Sequence, residues 1–184
     1  MTEKKTKIFS TTILGVRAKM KVAIAGDGQV TLGDMAIKQK AVKVREFEIA
    51  QGGVVGGFAG AAADALTLFE KFEQKLDQYD GDLKRSVVEL AKEWRTDKVL
   101  RHLEAMLLVM DKRFSFIISG DGNVIEPDGP IIAIGSGGGF AQAAASAFYE
   151  TGKYTAKQIA EKSLKIAAEL CIYTNDSITV LEIG

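Results

Sequence analysis

Histidine and cysteine are almost absent from this sequence, which holds His102 and Cys171 as the sole example of each. A zinc site built from clustered His and Cys ligands therefore cannot be assembled within the chain, nor can any multi-histidine centre. A nucleophile activated by imidazole would have to use His102 alone, so the base of any enzyme here is expected to be something else. One cysteine makes no internal disulfide, which fits a reducing compartment. Net charge is missing too: Lys+Arg and Asp+Glu both number 24, leaving no field to hold nucleic acid or an acidic membrane. Apolar runs are too short to span a bilayer. The leader Met1–Ser10, MTEKKTKIFS, carries lysines without the apolar segment of a secretory signal. These absences point to a cytoplasmic protein with no nucleic-acid or membrane partner.

What is present is enough for one domain with a real core: 184 residues, 47% of them apolar. Short β-rich runs at 12–16 (TILGV), 21–25 (KVAIA), 29–33 (QVTLG) and 42–47 (VKVREF) read as an antiparallel meander. GGVVGGFAG (52–60) reads as a glycine-flanked strand that something approaches closely. Helical spacing follows twice, from Ala62 to Leu76 and from Leu83 to Trp94, broken by Gly81. Strands are expected again at 105–110, 114–119 and 131–136, then two helices carrying Phe140 to Phe148 and Ile159 to Cys171, then a last strand at 178–183. Grouped strands and paired helices predict an α+β fold, a four-layer αββα sandwich of two antiparallel sheets.

Several stretches invite a chemical reading and have a plainer one. IGSGGGF (134–140) lacks the Gly-Lys-Ser/Thr of a P-loop and does not complete G-x-G-x-x-G, so it reads first as a tight strand-to-helix turn. Its free N–H groups and the Ser136 hydroxyl could still serve an oxyanion or a bound peptide. GDG occurs at 26–28 and 120–122, and Asp-Gly is first of all a hairpin signal. Lys43, in an alternating run, reads as a solvated strand lysine. His102 reads as a surface or packing residue, and Trp94 and Cys171 as core. The twin threonines Thr11 and Thr12 either mark the start of a strand or supply a nucleophile.

Taken in order, STTIL, AIAGDGQVTLG, VKVR, GGFAG, LFEKFEQKL, ELAKEWRTDKVLRHLEA, IIAIGSGGGFAQAAA and CIYTND closely resemble the HslV (ClpQ) family. These are bacterial proteasome-like threonine peptidases that work with the ATPase HslU. The resemblance runs from Thr11 nearly to the C-terminus. It implies the N-terminal nucleophile hydrolase fold, and self-assembly as two stacked hexameric rings capped by an HslU-type hexameric AAA+ ATPase that feeds in unfolded proteins. It also implies a processed chain: leader 1–10 removed, single peptidase domain 11–184. Mapped by motif, the nucleophile falls on Thr11, with Asp27, Lys43, the backbone N–H of Gly57 as oxyanion donor, and Ser136 in support. Main-chain oxygens of Ala168, Cys171 and Thr174 are implied to hold sodium. Family members often have glycine where Ala168 stands, and many have little more than Met before the threonine, so breakage of Ser10–Thr11 is required here.

The implied chemistry accounts for the missing histidines. An α-amino group has an unperturbed pKa of about 7.7–8.0, so a threonine at a new N-terminus carries its own base. Strand alternation lets only one of Thr11 and Thr12 enter a cleft, and spacing does not say which; the resemblance places the role on Thr11. The chain has no Walker A motif, so ATP would be used by the partner. Two other readings remain open: a non-catalytic ring subunit that keeps its leader, and a small-amide hydrolase on the same fold.

Overall fold

The computed structural model describes residues 11–50, 52–60, 62–98, 100 and 105–184, with backbone alone at 62–65. The leader and His102 lie outside the described residues.

Strand alternation organises the molecule. In β1 (Thr12–Ala18) and β2 (Lys21–Gly26), Ile13, Val22 and Ile24 face one way and Leu14, Val16, Ala23 and Ala25 the other, and all are buried. Burial on both faces is why these strands read as near-continuous apolar runs. They form the centre of a four-stranded antiparallel sheet, order β10-β1-β2-β11, flanked by β10 (Ile131–Gly135) and β11 (Thr179–Ile183). A five-stranded antiparallel sheet holds β5 (Val44–Ile49), β6 (Gly52–Ala59), β7 (Met106–Met110), β8 (Ser115–Ser119) and β9 (Val124–Ile125) in chain order. The expected single meander is not formed. The chain leaves the first sheet after β2 and makes a separate two-stranded ribbon, β3 (Val30–Leu32) with β4 (Met35–Lys38), before β5 opens the second sheet.

Helices α1 (Ala62–Gln78) and α2 (Leu83–Thr96) cover the five-stranded sheet; α3 (Gly138–Glu150) and α4 (Ala156–Leu170) cover the other. The αββα sandwich expected from the sequence is the observed architecture. The helices start where chemistry says they should: the Asp82 carboxylate accepts Arg85 N–H at 3.1 Å to cap α2, and Thr155 with Gln158 forms a capping box on α4. Under α1 and α2 the core is aromatic, with Trp94, Phe72 and Phe47 buried and Phe47 edge-on to Phe72 at 5.1 Å. Between the sheets it is aliphatic, and the layers approach closely: a Cβ on Gly57 would lie 2.4 Å from Ile13 Cγ2 and one on Gly15 2.3 Å from Met110 Sδ.

These layers place several strand ends together at one edge of the sandwich. Thr11 precedes β1, Asp27 follows β2, Lys43 precedes β5, Gly60 follows β6 and Ser136 follows β10.

Candidate active site

Asp27 is fully buried and each of its carboxylate oxygens is used. Oδ1 accepts the Thr12 backbone N–H at 2.8 Å and the Lys43 ammonium at 2.9 Å; Oδ2 accepts the Gln29 N–H at 2.9 Å and the Asn175 N–H at 3.4 Å. Lys43 is 8% exposed and also donates to the Gln29 carbonyl at 2.5 Å. Burial pushes the Lys43 pKa below its ordinary value, and the Asp27 charge opposes that fall. So Lys43 is no solvated strand lysine; it is a desolvated cation held on a buried carboxylate.

The alternation of β1 separates the twin threonines. Thr12 shares its face with Leu14, toward α3 and α4, where its hydroxyl meets Thr174 Oγ1 at 2.7 Å and accepts the Gly137 N–H at 2.9 Å. Thr11 is on the other side and lines a cleft of about 460 Å³ with Lys43, Gly60, Phe58, Leu66, Phe69 and Val42. Its carbonyl is clamped by the IGSGG turn, accepting the Ser136 N–H at 3.0 Å. The turn needs glycine there: Gly135 has φ +89°, and a Cβ on it would overlap the Thr11 carbonyl at 1.9 Å. The Ser136 side chain itself is exposed.

The family resemblance places Thr11, Asp27, Lys43 and Ser136 in one site, and the structure sets the four near one another, Ser136 through its backbone N–H alone. Gly57 is not brought to the cleft. It sits mid-strand, paired with Val44 and Leu108, and its missing side chain makes room for Ile13 of the opposite sheet. The glycine that lines the cleft with Thr11 is Gly60, the last of GGFAG, just past the end of β6 with φ +155°. Its position at a strand end, rather than within the strand, was the available signal.

All strand pairs in this arrangement are antiparallel, and both sheet-to-helix interfaces are closed by paired helices. Residues 9–183 match the family model described as proteasome subunit. The chain belongs to the proteasome subunit family. Within it, this chain is 53% identical over 177 residues to the ATP-dependent protease subunit HslV of Aquifex aeolicus (strain VF5), covering 96% of this chain and 99% of that one. The crystal structure of eukaryotic HslV from Trypanosoma brucei superimposes with a TM-score of 0.85 at 46% identity, over 93% of this chain and 98% of that one. Thiobacillus denitrificans BPH shares the fold, with a TM-score of 0.72 at 20% identity, over 93% of this chain and 96% of that one.

The sodium ligands read from the family resemblance fall at the end of α4. Ala168 lies in the last turn, whose carbonyls form the negative end of the helix dipole, and it has no positive φ that would demand glycine. Ala168 and Thr174 line one cleft of about 490 Å³ together with Asp176. The Cys171 carbonyl accepts the Thr174 N–H at 3.0 Å, which leaves it a second lone pair. Oxygen donors without imidazole or thiolate suit a hard cation, so these residues fit sodium. Among the described residues no cluster of His, Cys, Asp and Glu suited to a metal occurs, and no helix is long and apolar enough to cross a membrane.

Proposed function

We propose that this chain is the proteolytic core subunit of an ATP-dependent protease, a threonine endopeptidase whose nucleophile is the Thr11 hydroxyl and whose base is the Thr11 α-amine. The observation that carries this reading is the partition of the twin threonines. Thr12 has its hydroxyl engaged with Thr174 and Gly137, while Thr11 shares a cleft with a buried cation.

Breakage of Ser10–Thr11 removes leader 1–10 and frees the amine. It takes the hydroxyl proton, directly or through one water, as the oxygen attacks the scissile carbonyl. Lys43⁺ favours the ionised hydroxyl and, by like-charge repulsion, keeps the amine unprotonated; Asp27 holds the lysine and offsets its charge. The Gly60 N–H, in place of Gly57, faces the developing oxyanion, a donor whose loss typically costs ~10²–10³ in rate. The amine then returns the proton to the leaving nitrogen, an ester remains on Thr11, and water hydrolyses it. The Ser136 N–H fixes the Thr11 backbone through its carbonyl.

The assembly in this reading is two stacked hexameric rings in the cytoplasm, capped by an HslU-type hexameric ATPase that uses the ATP and supplies unfolded protein. Sodium, held by Ala168, Cys171 and Thr174 oxygens, would neutralise the carbonyls that end α4. The test is hydrolysis of a fluorogenic peptide and of casein, with and without such an ATPase. Thr11→Ala and Lys43→Ala are expected to abolish cleavage, and Thr12→Ser to retain most of it. Undiminished cleavage by Thr11→Ala would overturn the assignment.

A further inference from the structure

Lys43 sits on the segment 39–43, which has no ladder partner of its own between β4 and β5. Its own carbonyl accepts the Phe58 N–H at 3.1 Å, its ammonium is held by Asp27 and the Gln29 carbonyl, and two side-chain amides brace the backbone on either side of that pair. Gln29, 8% exposed, touches both halves of the ion pair through its backbone: its N–H meets Asp27 Oδ2 at 2.9 Å and its carbonyl meets Lys43 Nζ at 2.5 Å. Its side-chain amide donates to the Ile172 carbonyl at 2.8 Å and to Thr31 Oγ1 at 3.0 Å, so the loop after α4 fixes the residue that fixes the lysine.

Asn175 works from the same loop. Its Oδ1 accepts the Gly28 N–H at 2.9 Å, and its Nδ2 donates to the Gln39 carbonyl at 2.9 Å and to Gln39 Oε1 at 2.8 Å. Gly28 in turn accepts the Ala41 N–H at 2.9 Å. The packing leaves no slack, for a Cβ on Gly28 would lie 2.4 Å from the Gln39 carbonyl and 3.0 Å from that of Ser177.

We propose that the side-chain amides of Gln29 and Asn175 are positioning residues that tie the 172–175 loop to the segment bearing Lys43 and so set where its ammonium stands relative to Thr11. The proposal rests on the peptidase reading given above. Neither amide touches substrate. Both act through Lys43, so their loss moves the cation away from the Thr11 amine and weakens the repulsion that keeps that amine unprotonated. The charged groups facing Lys43 are Asp27, in direct contact, and Lys38 and Arg45, which line the same cleft; Asp176 adjoins Asn175.

Gln29→Met and Asn175→Leu keep shape and charge and remove the amides. Both are prepared as the full chain and assembled, their working sites titrated with an electrophilic peptide probe, and peptide hydrolysis is followed against pH. The expected result is a fall of about tenfold to a hundredfold in kcat per titrated site, the scale of a ~1 Å misplacement. KM is expected to stay within about twofold, and the acid limb of kcat to move to higher pH because the amine is easier to protonate. Unchanged kcat, or a fallen kcat with an unmoved acid limb, overturns the proposal. Should Gln29→Met fail to assemble, Asn175→Leu, which leaves every Gln29 contact in place, decides alone. Thr11→Ala separates the two readings: if it still cleaves, the peptidase assignment is what fails. If it is inert while the amide variants equal the parent, only the positioning role does.

Discussion

At the scale of single residues, the decisive fact is that neighbouring threonines have different surroundings. Thr12→Val would leave the Thr174 hydroxyl and the Gly137 N–H without their buried partner, which costs about 1–3 kcal/mol. Thermal unfolding should register that loss while an electrophilic probe still labels Thr11. Lys43 makes a second prediction. Because burial lowers its folded pKa, the unfolded chain binds more protons as pH approaches the ordinary value of 10.5 from below, so this group makes folding more favourable as pH rises there. Lys43→Met should flatten that rise in denaturant titrations; a slope equal to the parent's would contradict the assigned burial. Thr11, Asp27, Lys43 and Ser136 are legible only through the family resemblance of the motifs around them, since Asp27 alone reads as a hairpin residue and Lys43 alone as a solvated lysine. GGFAG offers several glycines, and the motif does not say which of them borders the cleft. Only the sheet-to-sheet packing shows that Gly57 is taken by Ile13 while Gly60 borders the cleft. The amides of Gln29 and Asn175 were invisible as a pair, since their contacts join segments about 140 positions apart.

At the scale of elements, the helices and most strands were legible because their periods are clean and their ends are capped or broken by glycine. The order of strands was not. Which neighbour β2 takes is decided by β11, the last strand of the chain, and no local pattern in VTLGDMAIK says that it forms a ribbon apart from both sheets. The α1–α2 pair carries its own electrostatic clamp. Glu93 on α2 accepts from Lys71 at 2.5 Å and lies 2.8 Å from Lys75, both on α1, and those two hydrogen bonds hold its carboxyl below the usual value of 4.5. A carboxyl lowered in the folded state adds stability above 4.5 that is lost as pH falls through the folded pKa. Glu93→Gln should therefore destabilise the fold by about 1 kcal/mol at neutral pH and blunt its acid sensitivity, both read from denaturant midpoints. The β10–α3 turn makes a sharper case. Gly135→Ala forces a methyl into the Thr11 carbonyl at a positive φ, so peptide cleavage should fall by ~10²-fold or more even where the chain still folds.

At the scale of the whole molecule, two sheets and two helical layers exist here to bring five strand ends to one edge, and the chemistry proposed needs nothing that the composition lacks. In the proposed chemistry a buried Asp–Lys pair and a terminal amine do the work that an imidazole does in a triad, so His102 is not called on. Ribbon β3–β4 and the strand-free segment after it leave Met35, Ile37 and Val42 exposed on the lone chain. In the proposed rings such surface has neighbours, and sedimentation should find two stacked hexamers rather than a monomer. The central claim is that a freed Thr11 amine deprotonates the adjoining alcohol. Its most direct test is intact-mass and fragment analysis of the protein after reaction with an electrophilic peptide probe. The account predicts a chain that begins at Thr11 and carries one adduct on that residue. A chain that still begins at Met1 and cleaves peptide at full speed, or an adduct on Thr12, would contradict it.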